Sequence, residues 1–343
     1  MMDVFRAPPA PPGELPQEAR TPEEIARFIV AAAVHSPSVH NTQPWWFSSD
    51  EQEVSAHADA ERRLRVADSD GREMLISCGA ALFTARVALR YLGYVPAVRV
   101  LPDPDLPNLV ARIGWGGQTP PVDYERQLFA EIPRRRTHRG GFDPEPLPDG
   151  LVATLRDEAA REQAILRIMG DENQRGALSA AVQAADHVLR LEPARVAEES
   201  KWAPPPGSHR RDGVPATAYP ARPERVEPSF PARDFAHGHG WGQPPAGQWP
   251  VPRSAGVVAL LTTATDGPPE WVSAGQALQR VLLLASSCGV AAALHSQPLE
   301  VPELREFIRV HLAGNACPQM VIRLGTTGQT AASVRRGIDE VLL

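Results

Sequence analysis

The sequence predicts an α+β fold laid down twice in one chain: two mixed sheets, each flanked by helices, with a proline-rich insertion in the second half. Three observations carry this. Two long apolar helices share Ser77, Gly79, Ala81, Leu82 and Gly93 in the first and Ser273, Gly275, Ala277, Leu278 and Gly289 in the second, every pair offset by 196 residues. Each helix is followed by a strand of one wording, Val110-Ala111-Arg112-Ile113-Gly114 and Val321-Ile322-Arg323-Leu324-Gly325. Twelve of the 36 prolines fall between Pro204 and Pro252, which sets that segment apart from the rest. Two apolar helices share a few small residues by chance, but the repeated order of helix, loop and V-x-R-φ-G strand favours duplication. The expected divisions are an N-terminal arm at 1–20, a first half at 21–132 and a second half at 133–343. The insertion occupies 201–253.

In chain order, Thr21-Pro22-Glu23-Glu24 is a helix start: Thr caps, Pro takes the first helical position, and the acids face the dipole. Ile25, Phe28, Ile29 and Ala32 then share a face. Pro37 disfavours helical geometry at Ser36, so the helix ends there. Phe47, 53–58 and 63–67 read as short strands or connectors. A helix spans 72–91, with Gly93 to terminate it. Strands are expected at 98–101 and 109–113, a short helix at 124–131, and a basic turn at 134–141. Then follow a helix from Pro148-Asp149 to about 161, a strand at 165–169 and a helix at 171–191. Beyond the insertion come a strand at 256–263, a helix at 271–287, a helix at 301–310 and a strand at 319–324.

Composition narrows the function classes. The chain has 343 residues, 43% of them hydrophobic and 22% charged, as in an ordinary globular protein. Its net charge of −6 supplies no overall basic field for nucleic acid or anionic membrane. Cys78, Cys288 and Cys317 are odd in number and far apart, which argues for a reducing compartment and against structural zinc. No apolar signal core opens the chain, and no uncharged apolar run reaches transmembrane length. A cytoplasmic protein is expected. His209 and His237-Gly238-His239 lack the further ligands that a metal site needs.

Two motifs carry chemistry. The stretch 35–45 contains Ser38, Asn41, Thr42 and Gln43, which both donate and accept, beside the flat apolar surfaces of Trp45 and Trp46. Such a loop suits a planar ligand with a polar rim; it equally suits a helix-to-strand connector. About a hundred residues later stands Arg135-Arg136-Thr137-His138-Arg139, which by itself reads as a solvated basic turn.

Together, the P-S-x-x-N-x-Q-P-W loop and the R-R-T-x-R turn resemble the two FMN-binding elements of the FMN-dependent nitroreductase superfamily. The order and the fusion resemble its Acg-type branch, a joined pseudo-dimer with an inserted lid. In the superfamily, two subunits usually build each flavin site; here both elements lie on one chain. The resemblance therefore implies one complete FMN site per chain, in a monomer or a homodimer. It assigns Arg135, Thr137, Arg335 and Arg336 to the phosphate. Thr137 replaces the more usual serine and keeps the hydroxyl. Arg139 falls beside flavin N1 and O2, where fixed positive charge raises the potential. Pro37, Ser38 and Asn41 approach the ring from the opposite half. Ser296 and Gln297 match the loop whose backbone N–H faces N5.

The implied activity is NAD(P)H-dependent hydride transfer to a nitro or quinone-like small molecule, in which stacking and distance replace a side-chain acid or base. The alternative is a catalytically silent FMN-sequestering protein whose lid blocks the flavin. No sequence feature supports cleavage of the flavin itself. Trp202, Phe230, Phe235, Trp241 and Trp249 argue that the insertion packs as an extended flap and is not a disordered loop.

Overall fold

The computed structural model describes residues 21–220, 224–233, 253–329 and 333–343. Helix α1 (Pro22–Ala33) starts at a capping box: the Thr21 hydroxyl accepts from the Glu24 N–H, and the Glu24 carboxylate accepts from the Thr21 N–H. Ile25, Ile29 and Ala32 turn to the core. Phe28 stays half-buried and stacks on Phe129 at 5.5 Å.

Strands β1 (Trp45–Ser49) and β2 (Glu53–Ala58) form a hairpin ahead of α2 (Arg72–Tyr91). After α2 come β3 (Tyr94–Val100) and β4 (Leu109–Gln118), and the sheet runs β1-β2-β4-β3, antiparallel throughout. Residues 63–67 form a connector with no strand. Helices α3 (Asp123–Glu131) and α4 (Leu151–Ala160) lead to β5 (Ile165–Ile168), α5 (Glu172–Arg190) and α6 (Pro193–Ser200). The chain continues through β6 (Val226–Glu227), β7 (Arg253–Ser254), β8 (Val257–Thr263), α7 (Pro268–Ser287) and β9 (Ala291–His295). It ends with α8 (Gln297–Glu300), α9 (Pro302–His311) and β10 (Cys317–Gly325). The second sheet runs β5-β8-β10-β9, again antiparallel.

The two sheets share one plan. In each, the long helix joins an inner strand to the far edge strand, and the V-x-R-φ-G strand lies between those two. Helices α2 and α7 pack at the centre of the molecule. A Cβ on Gly79 would collide with the Val272 carbonyl, and one on Gly275 with the Ile76 carbonyl. These contacts are reciprocal, because Val272 stands to Ile76 as Gly275 stands to Gly79, an offset of 196 in both cases. Reciprocity of that kind is what a two-fold relation imposes. Gly93 and Gly289 close their helices with φ of 88° and 72°.

The elements depart from expectation in a few places. Helix α6 and edge strand β9 carried no sequence signal strong enough to be read. Helix α7 begins at Pro268, three residues before position 271. The insertion is not wholly irregular: β6 pairs in parallel with β7, and Ala216–Ala218 form a 3-10 turn. Phe235, His237, His239, Trp241 and Trp249 lie outside the described residues. His209 is exposed, and no group of three metal-ligating side chains occurs among the described residues. Helix α2 is long and apolar enough to cross a membrane, but it carries Arg72, Glu73, Arg86 and Arg90 and is mostly buried in the core.

Candidate functional site

The 35–45 loop is held in a conformation that ordinary side chains resist. His40, Asn41 and Gln43 have φ of 47°, 53° and 50°. Left-handed backbone costs about 1 kcal/mol per non-glycine residue. The surroundings supply that through specific bonds. Ser36 is buried, its hydroxyl 2.7 Å from that of Thr84 on α2. The Ser38 hydroxyl accepts from the Gln43 N–H at 2.9 Å. The Asn41 amide donates to the Gly213 carbonyl at 2.9 Å, and its oxygen accepts from Arg335 at 2.9 Å. Asn41 thus ties the loop to the insertion on one side and to the C-terminal tail on the other.

The basic turn docks on the second sheet. Thr137 bridges Ala292 of β9 in parallel, and the His138 N–H donates to the Ala292 carbonyl at 2.8 Å. This register carries Thr137 and Arg139 toward the 35–45 loop. The C-terminal tail returns to the first sheet, where the Phe47 N–H donates to the Val341 carbonyl. That pairing places Arg335 beside Asn41.

Two adjoining cavities result. The larger, about 110 Å³, lies between α2, α7 and the β9–α8 junction. Its walls include Pro37, Ser38, Ile76, Ala80, Leu278 and Met320. Ser296 and Gln297 also line it. The smaller, about 30 Å³, is lined by Asn41, Arg136, Arg335 and, from the insertion, Gly213 to Pro215 and Ala218. Pro37, Ser38, Thr137 and Arg139 line both. The wide chamber is mostly apolar, and the narrow one is cationic.

Electrostatics mark the narrow chamber. Arg135, Arg136, Arg139 and Arg335 have no carboxylate within 4.0 Å among the described residues. Burial, with Arg136 and Arg139 beside it, pushes the Arg135 guanidinium down to about 9. Burial, then Arg135, Arg136 and Arg139, pushes Arg335 well below the usual arginine range. Burial and the same cluster push His35 down to about 4. The Nε atoms of Arg135 and Arg335 are buried without a hydrogen-bond partner among the described residues. Guanidinium groups gathered with no carboxylate between them among the described residues can take up an anion.

Most residues singled out in the sequence meet here: Pro37, Ser38, Asn41, Thr137, Arg139, Ser296, Gln297 and Arg335. Arg135 and Arg336 stand back from the chambers. Arg135 lines neither chamber; its guanidinium donates to the His35 carbonyl at 3.3 Å from behind, and Arg136 takes the lining position. Arg336 also lines neither; it donates to the carbonyls of Gln43, Trp45 and Glu340 and so fastens the tail. Ser296 connects β9 to the one-turn helix α8 and its hydroxyl donates to Glu300 at 2.6 Å, while Gln297 is the first residue of α8.

Sequence reading missed four residues in the large cavity: Glu73, Arg233, His295 and Arg323. Glu73 keeps one carboxylate oxygen buried and unpartnered among the described residues. Arg233, from the insertion, donates to both Glu300 oxygens at 2.8 Å and to His40 at 2.6 Å. Arg323 is 1% exposed and lies between the rings of Phe142 and Phe230, 5.2 and 5.4 Å from their centroids. Its one sequence signal was an arginine within the otherwise apolar run 320–324 of β10.

No family model matches the chain. It is 35% identical over 303 residues to a Mycobacterium tuberculosis protein named "Putative NAD(P)H nitroreductase Rv3131", spanning 88% of this chain and 85% of that one. It is 27% identical over 322 residues to "Putative NAD(P)H nitroreductase acg" of the same organism, spanning 93% and 95%. Among solved structures, the FMN-dependent nitroreductase NfnB from Mycobacterium smegmatis in complex with NADPH aligns with 16% identity and a TM-score of 0.38, covering 64% of this chain and 97% of that one. A nitroreductase with bound FMN from Desulfitobacterium hafniense aligns with 15% identity and a TM-score of 0.35, covering 63% and 96%. On the identity and coverage of its Rv3131 relative, the chain belongs to the NAD(P)H nitroreductase family.

Proposed function

We propose that this protein is an FMN-dependent oxidoreductase of nitroreductase type, reduced by NAD(P)H, with one flavin held at a seam between two diverged copies of the fold. The reciprocal glycine contact of α2 with α7 and the shared sheet order support duplication. Their asymmetry supports a single site: the 35–45 loop precedes β1, but only residues 161–164 separate α4 from β5. Both motifs lie on this chain, so a monomer would be sufficient to build the site.

The observation that carries the cofactor reading is the unpaired arginine cluster opening into an apolar chamber. A dianionic phosphate beside a flat ring system has that shape and charge. Arg136, Arg335 and the Thr137 hydroxyl would hold the phosphate end, with Arg135 adding charge nearby. Ile76, Ala80, Leu278 and Met320 would exclude water from the ring, and Arg139 would offset negative charge gained on reduction. When bound, FMN supplies the two-electron chemistry that no side chain here provides. The acceptor is a small planar molecule, nitroaromatic or quinone-like.

One observation favours a second reading, FMN storage without turnover. The insertion contributes Ala232 and Arg233 to the large chamber and covers the small one, with Tyr219 5.6 Å from the Arg139 guanidinium. Arg233 is pinned by Glu199 and Glu300. Stopped-flow mixing of FMN-loaded protein with NADPH tests the readings. Rapid bleaching of the flavin's visible absorbance establishes that NADPH reaches and reduces the flavin. Absence of bleaching that is restored by deleting 201–253 establishes a lid block.

A further inference from the structure

The floor of the large chamber holds a histidine that the proposed flavin chemistry has not used. His295, the last residue of β9, is 2% exposed and lines the chamber. Arg323 of β10 donates from Nε to His295 Nε2 at 2.9 Å. A guanidinium has no acceptor, so Nε2 must be the bare nitrogen and Nδ1 must carry the proton. That Nδ1–H is buried without a partner among the described residues. Arg323 is itself fixed by the Ala255 and Gly140 carbonyls at 3.3 and 3.1 Å. The ring of Phe230 holds the imidazole at 5.5 Å between centroids. A buried donor left unmade is costly, so an orphan in a residue that lines the chamber calls for an acceptor.

We propose that His295 is a neutral hydrogen-bond donor, its tautomer set by Arg323, to an acceptor heteroatom of the flavin ring. Arg323 is a positioning residue: it polarises the imidazole and fixes which nitrogen carries the proton. The donor strengthens as its acceptor gains electron density, so it favours reduced over oxidised flavin. This rests on the flavin reading above.

The test uses the full chain loaded with FMN. Affinity for oxidised FMN and the midpoint potential of the bound flavin are measured for wild type, His295→Leu and His295→Asn. His295→Leu should lower the preference for reduced over oxidised flavin about tenfold, the effect of one hydrogen bond, and so make the potential more negative. His295→Asn retains an N–H and should restore much of that preference. An unchanged potential in a folded, FMN-loaded His295→Leu protein overturns the inference while leaving the flavin reading intact. Wild-type protein that binds no FMN overturns both. Nitrogen NMR of histidine-labelled wild type requires no variant. Adding FMN should move the His295 Nδ1 resonance and leave the tautomer unchanged; an unresponsive resonance, or an Nε2–H tautomer, refutes the assignment.

Discussion

At the scale of single residues, the site is a balance between charges that repel each other and an anion that would relieve them. Arg335 is the sharpest case: it is half-buried, faces three other guanidiniums and meets no carboxylate among the described residues. Arg335→Ala should weaken FMN binding roughly 10- to 100-fold, the effect of a charge-assisted bond. It should also stabilise the FMN-free protein, because it removes repulsion; fluorescence titration and thermal unfolding read the two effects. Histidines give a pH signature. His35 is held near 4, and burial holds His40 and His295 well below their ordinary 6.5. In that window the unfolded chain binds more protons than the folded one, so stability falls as pH drops below 6.5. Asp68, pushed up to about 6 by burial and then by Glu73, runs the other way as one group against three. Thermal scans from pH 7 to 4 should show a falling Tm, with a smaller fall when FMN neutralises the cluster beside His35. A Tm that rises on acidification contradicts this assignment.

At the scale of elements, the decisive contact is α2 against α7. Gly79→Ala and Gly275→Ala each drive a methyl into the backbone of the facing helix, which cannot yield as a side chain would. Each should cost about 3 kcal/mol by overpacking, read by denaturant unfolding. Thr21→Ala, which removes only a cap, should cost about 1 kcal/mol. If the glycine variants cost no more than the cap variant, the close helix crossing is wrong. The elements legible in the sequence were those whose signals are local. Thr21-Pro22 marked α1, and apolar spacing with Gly93 marked α2. The missed ones owe their form to tertiary contacts. Strand β9 is five residues of Ala, Leu and His whose identity comes from pairing with β10. Helix α6 is held by Arg195, buried with Glu199 and Glu300. A one-turn α8 has too few residues for a period to show.

For the whole molecule, the proposed repeat was legible because its matching glycines sit where α2 packs on α7, and small residues have no substitutes there. The two motifs were legible because their wording is dense. Arg323, His295, Glu73 and Arg233 were not, since nothing in sequence says which charged residue a fold will bury. The insertion showed its composition but not its attachments, through Asn41, Glu199 and Glu300, because these are long-range bonds. The central claim is that the seam between the two sheets holds one flavin, with its phosphate among the arginines. The most direct measurement is a stoichiometric FMN titration of the full chain, wild type beside Arg335→Glu, read by flavin fluorescence. The account predicts saturation at one FMN per chain, lost when the charge is reversed. Two flavins per chain, no binding at all, or binding indifferent to Arg335→Glu would contradict it.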